Sequence, residues 1–321
     1  MSQQTSVLYD VPGPRQRRIT LISSIVATVV LLAAAYFLIY RPLEDKGQFS
    51  MELWGPLIDP ANENFALVWE RIGVGFKNTL TAAALAIVSS LVVGTLLGVL
   101  RIQLKSLSRR RFTGLATPVA YLLRGLSTLL SAVTRFCVEI FRGLPVVITI
   151  FFVARGFPEF GVTFDTLWYL VIGLTIYNSV VIAEILRSGM EGLPGGQAEA
   201  AAAIGLSPAQ TTRMILLPQA FRIMLPALIS QLVVVLKDTS LGFIISYQET
   251  LNVGKQIIGV LDNPIQVYIV IALMFILVNY SLSKLAEYVQ RRLSRGRRTA
   301  DLPAQNPPPA SLTSQAESNT P

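Results

Sequence analysis

The sequence has 321 residues, 52% of them apolar and only 14% charged, with a mean hydropathy of +0.55. A soluble domain carries about 25% charge, so this chain has too little to cover a soluble surface and reads as an integral membrane protein. Net charge is +8, there is no histidine, and Cys137 is the single cysteine. That excludes imidazole bases, His-ligated metals, an intrachain disulfide and a Cys metal cluster.

Residues 1–18 form a short N-terminal tail that ends in Arg15, Arg17 and Arg18. Residues 19–40 carry no charge over 22 positions, enough to cross a bilayer. The run is too long for a signal peptide, and Arg41-Pro42 is no small-residue cleavage site. It is expected to stay as an anchor helix. Residues 41–63 read as an outside loop with Pro, Asp and Glu. Phe65, Val68, Trp69, Ile72 and Phe76 then share one helical face, which predicts a short helix lying at the membrane surface.

The second span is 78–100, and its Gly94 and Gly98 predict close helix packing, within the chain rather than between subunits. The third, 125–154, is interrupted by Arg135, Glu139 and Arg142, with Gly143 and Pro145 expected to break or kink it. The fourth is 166–183, with Glu184 directly after it. The fifth, 223–248, is interrupted by Lys237 and Asp238, and the sixth is 263–283. Residues 299–321, rich in Pro, Ser, Ala and Gln, read as a disordered tail.

With the N-terminus inside, the inside segments 1–18, 101–124, 187–222 and 284–321 carry 18 Lys and Arg, and the outside segments 41–77, 155–165 and 249–262 carry 6. This bias predicts both termini inside. Arg109, Arg110, Arg111 and the arginines of 291–298 are then topogenic charge facing anionic membrane lipid, and a nucleic-acid partner is excluded. The sequence has no G-x-x-x-x-G-K-[ST] phosphate loop and no G-x-S-x-G, so the chain is not expected to hydrolyse ATP or to be an enzyme. No cofactor or metal site is expected.

The inside loop 187–222 carries the strongest signal. An Ala-rich helix is predicted from Gln197 to Ile204. Gly205 stands where a left-handed residue ends such a helix. Ser207, Pro208 and Gln210 then predict the N-cap, first position and capping box of a following helix. The result is two helices with a sharp, rigid bend. Glu199-Ala200-Ala201, Gly205 six residues after the Glu, and Ile215-x-Leu217-Pro218 match the EAA signature of ABC-importer permeases. Phe141-Arg142-Gly143-Leu144-Pro145, Ala183-Glu184-Ile185-x-Arg187-x-Gly189, Pro194-x-Gly196-Gln197 and Lys237-Asp238-Thr239-Ser240-Leu241 resemble further motifs of its polar amino-acid subfamily. The opening from Leu8 to Pro14 looks similar to glutamate-type permeases of actinobacteria. One departure stands out: where the family usually carries Asn a few residues after the Pro of the fifth span, Pro226 is followed here by Ser230 and Gln231.

The resemblance implies an all-α integral membrane protein of about six transmembrane helices, a five-helix type I ABC importer core (73–287) plus the N-terminal anchor. Segments 41–72, an outside loop with the interfacial helix, and 288–321, a disordered cytoplasmic tail, then fall outside the core. It implies a multi-pass location in a bacterial plasma membrane and a function as permease subunit moving a polar amino acid inward, glutamate first and glutamine or a basic amino acid next. An ion-coupled secondary transporter is the alternative from another class, although no internal repeat supports it. The implied partners are a cytoplasmic ATP-binding subunit, a second permease subunit as homodimer or heterodimer, and an extracytoplasmic substrate-binding protein. Gln197, Glu199, Ala200, Ala201, Gly205, Leu206, Ser207 and Pro218 are the expected contacts or shaping residues for the ATPase, with Glu199 orienting the loop through charge-assisted hydrogen bonds. Arg142, Gln231, Lys237 and Asp238 are the candidates for the substrate pathway. Intramembrane charges are functional candidates by default, but structural pairing stays open, Arg142 with Glu139 across the kink and Glu184 with Arg187 along one helix.

Overall fold

A computed structural model of the chain describes residues 13–109 and 117–294. Arg110, Arg111, the arginines at 295, 297 and 298, the tail at 299–321 and the residues before Gly13 lie outside the described residues. Every regular element among the described residues is helical. Among the described residues five helices are long and apolar enough to cross a membrane, or six if a bent pair is one span. Contacts divide the described residues into two compact units, one of 13–74 with Val253–Ala272, the other of 75–109, 117–252 and 273–294.

In the first unit, α1 (Pro14–Asp45) is a continuous helix that passes through one π-helical turn at Tyr36–Tyr40. None of its most apolar stretch is buried within the chain. A short α2 (Met51–Ile58) follows, so 41–63 is largely helical rather than a loop. Leu57 is buried, and its carbonyl accepts the indole N–H of Trp69 at 3.0 Å. Trp54 donates to the Gln48 carbonyl at 3.0 Å, Asn263 to that of Leu53 at 3.0 Å, and Gln266 to that of Gln48 at 2.6 Å. These side chains satisfy backbone groups that α2 and its flanking turns leave open.

The predicted surface helix at 65–76 is not a separate element. It forms one helix with the second span, α3 (Phe65–Arg109). No proline lies between its two halves, and Gly73 and Gly75 weaken a helix without stopping it. The predicted boundary at 72/73 therefore falls inside a helix.

In the second unit, α4 (Thr117–Gly143) and α5 (Val146–Glu159) meet at an angle of 107°. Pro145 has no N–H to give and disfavours helical backbone in the residue before it. The third span is thus broken at Gly143 and Pro145, one of the two outcomes the sequence predicts. α6 (Thr166–Glu191) is the central helix, with 61% of its most apolar window buried against 17–28% for the other long helices that pack in the bundle. Asp165 caps it by accepting the Leu167 N–H at 2.9 Å. A Cβ built on Gly94 of α3 would lie 2.8 Å from Ile182, and one on Gly98 would lie 3.1 Å from the Ala183 carbonyl. The small pair therefore lets α3 approach α6 within the chain, as the sequence predicts.

After α7 (Gly196–Ala203) and α8 (Pro208–Thr211), a π-helical turn at Thr212–Leu216 leads into α9 (Leu217–Asp238). Pro218 cannot donate to a carbonyl four residues back, and the wider turn absorbs the missing bond. A 3-10 turn, Thr239–Ile245, ends this run. α10 (Thr250–Leu261) is helical where an outside loop is predicted, and α11 (Pro264–Ser294) extends the sixth span through 288–294, which the sequence reading assigns to the disordered tail.

Candidate functional site

The hairpin between α6 and α9 is built as its residues dictate. Gly205 has φ +81°, and its N–H and that of Leu206 return to the carbonyls of Ala202 and Ala201 at 3.0 Å each, closing the end of α7. Ser207 caps α8: its hydroxyl accepts the Gln210 N–H at 3.4 Å while its own N–H donates to the Gln210 side chain at 2.9 Å. Gln103 of α3 donates to the Pro208 carbonyl at 3.4 Å and ties the hairpin to the bundle.

One side of the hairpin is open. Ala201 is buried and Leu206 and Gln197 partly so, whereas Glu199, Ala200, Gly205, Ser207 and Pro218 are exposed. Ile204 and Met214 add exposed apolar surface at 76% and 64%. The Glu199 carboxylate accepts no hydrogen bond among the described residues. The Gln197 side-chain carbonyl is buried without a partner.

Beside the hairpin's root, α3, α4 and α6 enclose a charged cavity of about 450 Å³. Glu184 accepts from both Arg101 and Arg187, and the Arg142 guanidinium lies 3.9 Å from the same carboxylate. Arg187 also reaches Glu191, which accepts from Lys105 at 2.6 Å. Arg135 pairs with Glu139 at 2.8 Å. Arg142 therefore faces Glu184, not Glu139 as one sequence reading has it, because Arg135 sits one turn from Glu139 on the same helix face. The pairing of Glu184 with Arg187 along α6 is as expected.

The remaining pathway candidates are spread along α9. Gln231 donates to Asn178 of α6 at 2.7 Å. Lys237 is exposed and Asp238 half-buried, and neither takes part in an ion pair among the described residues. Being adjacent, they leave the helix in different directions.

Two polar residues with structural weight escape the sequence reading. Asn178 is fully buried; its signal is an amide inside an otherwise apolar span. Glu249 is fully buried at the start of α10, where its carboxylate accepts the N–H groups of Leu251 and Asn252 at 2.8 and 2.7 Å. Its signal is an acid directly ahead of a helix. Around it Thr79 bonds Thr250 at 2.8 Å, Asn78 donates to the Gln248 carbonyl at 2.8 Å, and Tyr247 donates to that of Asn78 at 3.1 Å. Burial pushes the Glu249 carboxyl up to about 7, against the pull of its two backbone donors.

The pattern of the family described as binding-protein-dependent transport system inner membrane component matches residues 113–295. The chain belongs to this family. The permease is 38% identical over 272 residues to the glutamate transport system permease protein GluD of Corynebacterium glutamicum, covering 83% of this chain and 88% of that one. It is 34% identical to a probable glutamine ABC transporter permease protein, GlnP, of Bacillus subtilis, covering 72% and 96%. A crystal structure of an amino acid ABC transporter with histidines matches the fold with a TM-score of 0.57 at 23% identity, covering 71% of this chain and 96% of that one. The inward-facing MetNI methionine ABC transporter matches with 0.56 at 20% identity, covering 72% and 99%. The protein is thus an ABC importer permease for amino acids, with the type I importer fold in a multi-pass membrane protein.

Proposed function

We propose that this permease moves glutamate inward, driven by a separate ATP-binding subunit that docks on the hairpin of α7 and α8. The observation that carries the docking is the open face of that hairpin. A left-handed Gly205 and a capping box hold it rigid, and the side chains of Glu199, Ala200 and Ile204 stand exposed. A stiff knob of this kind transmits closure of the ATPase as a rigid-body movement. Glu199 then makes its charge-assisted hydrogen bonds to the ATPase.

In this reading both termini and the hairpin face the cytoplasm, a substrate-binding protein delivers the amino acid outside, and a second permease subunit completes the complex. Gln231, Lys237 and Asp238 belong to the substrate pathway, where a substrate's carboxylates need cationic partners in a medium of low dielectric; Arg142, the remaining candidate, lies instead in the charged cavity beside Glu184. Glutamate is supported by the 38% identical relative, and glutamine is the second reading on the strength of the Bacillus subtilis relative. Uptake of labelled glutamate, glutamine and arginine in a strain lacking this chain tests the assignment. Loss of glutamate uptake alone is expected; unchanged glutamate uptake overturns it.

A further inference from the structure

We propose that the permease holds an anionic phospholipid, with its phosphate in the charged cavity of α3, α4 and α6 and an acyl chain in the groove beside it. The cavity is lined by five basic side chains, Arg101, Lys105, Arg135, Arg142 and Arg187, against three carboxylates, Glu139, Glu184 and Glu191. Internal pairing leaves two positive charges over. Arg142 is the least satisfied: its nearest carboxylate, 3.9 Å away, already serves Arg101 and Arg187, and half of its side chain is exposed.

An apolar groove of about 500 Å³ adjoins the cavity, and Thr134 and Val138 line both. Its walls come from the same three helices. On α3, Leu97 and Val93 lie four and eight residues before Arg101; on α6, Val180 and Ile176 lie four and eight before Glu184. At 1.5 Å per residue both pairs sit about 6 and 12 Å further into the span than the charges. Arg101 directly follows the uncharged run 78–100, so the cavity stands at headgroup level and the groove in the hydrocarbon. A basic cavity opening on an apolar slot at this depth complements a negatively charged headgroup with its chain attached. A free anion would leave the slot empty, and an uncharged lipid would leave the two charges unpaired.

Cys137 lines the groove and is the chain's single cysteine, so its alkylation reports occupancy. The experiment follows N-ethylmaleimide labelling of the full chain in neutral detergent, with phosphatidylglycerol, phosphatidylcholine or inorganic phosphate added. Retention of phosphatidylglycerol is read in parallel by native mass spectrometry. We expect phosphatidylglycerol alone to slow labelling, by about fivefold or more, the weight of one basic side chain against an anionic lipid. Arg135→Gln with Arg142→Gln should remove both the protection and the retained lipid. Equal protection by phosphatidylcholine, protection by phosphate alone, or protection that survives the double substitution overturns the proposal. A Cys137 that stays unreactive without lipid also overturns it, since a second copy of the chain then covers the groove. The wild-type comparison stands even if the double variant fails to fold.

Discussion

Gln231 of α9 donates a 2.7 Å hydrogen bond to the side-chain carbonyl of Asn178 on α6, across the packed centre of the bundle. Asn178 is fully buried, and its own amide N–H donates to the Leu174 carbonyl at 2.9 Å. Among the described residues only Gln231 donates to the Asn178 side-chain oxygen. Asn178→Leu strands the Gln231 amide, and Gln231→Leu strands the Asn178 carbonyl. Each should lower stability by about 1–3 kcal/mol, while the double change is milder than the sum because nothing polar remains unpaired. With Gln231 on the substrate pathway, the double variant regains stability and not uptake. Melting in detergent beside uptake in cells separates the two, and uptake that returns with stability removes Gln231 from the pathway.

Glu184 is the shared acceptor of Arg101 and Arg187. Glu184→Gln leaves these guanidiniums, and Arg142 beside them, without their common counter-charge. Removing one member of a buried pair typically costs about 3–5 kcal/mol. The Glu184 side chain is still 20% exposed, so the loss should lie near the lower end. Combining Glu184→Gln with Arg187→Gln should recover part of it by restoring the charge balance. Denaturation in detergent measures both, and an unchanged melting temperature for Glu184→Gln contradicts the network.

These residues mark what can be read without coordinates. The broken third span follows from Gly143 and Pro145, and the α7–α8 hairpin from Gly205 and Ser207, because each acts through its own backbone. The contacts of Arg142 and Asn178 are set by which helix faces them across the bundle. Spacing along one chain carries no such information, and Glu139, the local partner on paper, is taken by Arg135. The helix at 65–76 is continuous with the second span for another reason. A change from amphipathic to uniformly apolar composition alters the surroundings of a helix without ending it, so α3 runs on.

Gly205 carries its left-handed φ of +81° in open surroundings, with nothing within 4 Å of where a Cβ would stand. The penalty for substitution is therefore backbone strain alone. Gly205→Val should cost about 1–3 kcal/mol at the bend, whereas Asn tolerates the left-handed region. Gly205→Val is expected to insert in the membrane normally and lose uptake, and Gly205→Asn to keep most of it. Blue-native electrophoresis for the ATPase complex and uptake for function check this. Normal uptake by Gly205→Val would show that the bend does not transmit the motion.

Glu249 makes stability depend on pH. Its carboxyl is raised from 4.5 to about 7 by burial, so between those values the folded protein holds a proton that the unfolded chain has released. Stability from this group is then fully present below about pH 4.5 and lost as pH rises through 7. From pH 8 to pH 5 the gain is roughly 2–3 kcal/mol, at 1.36 kcal/mol per unit. Glu249→Gln keeps an oxygen for one of the two backbone donors, Leu251 and Asn252, and cannot titrate. It should lose about 1 kcal/mol of capping and flatten the profile. The difference in melting temperature between wild type and Glu249→Gln isolates this residue from every other carboxylate. That difference should grow in favour of wild type as pH falls from 8 to 5. A difference that stays constant over this range means the two backbone N–H groups outweigh burial, and Glu249 remains an ordinary ionised cap.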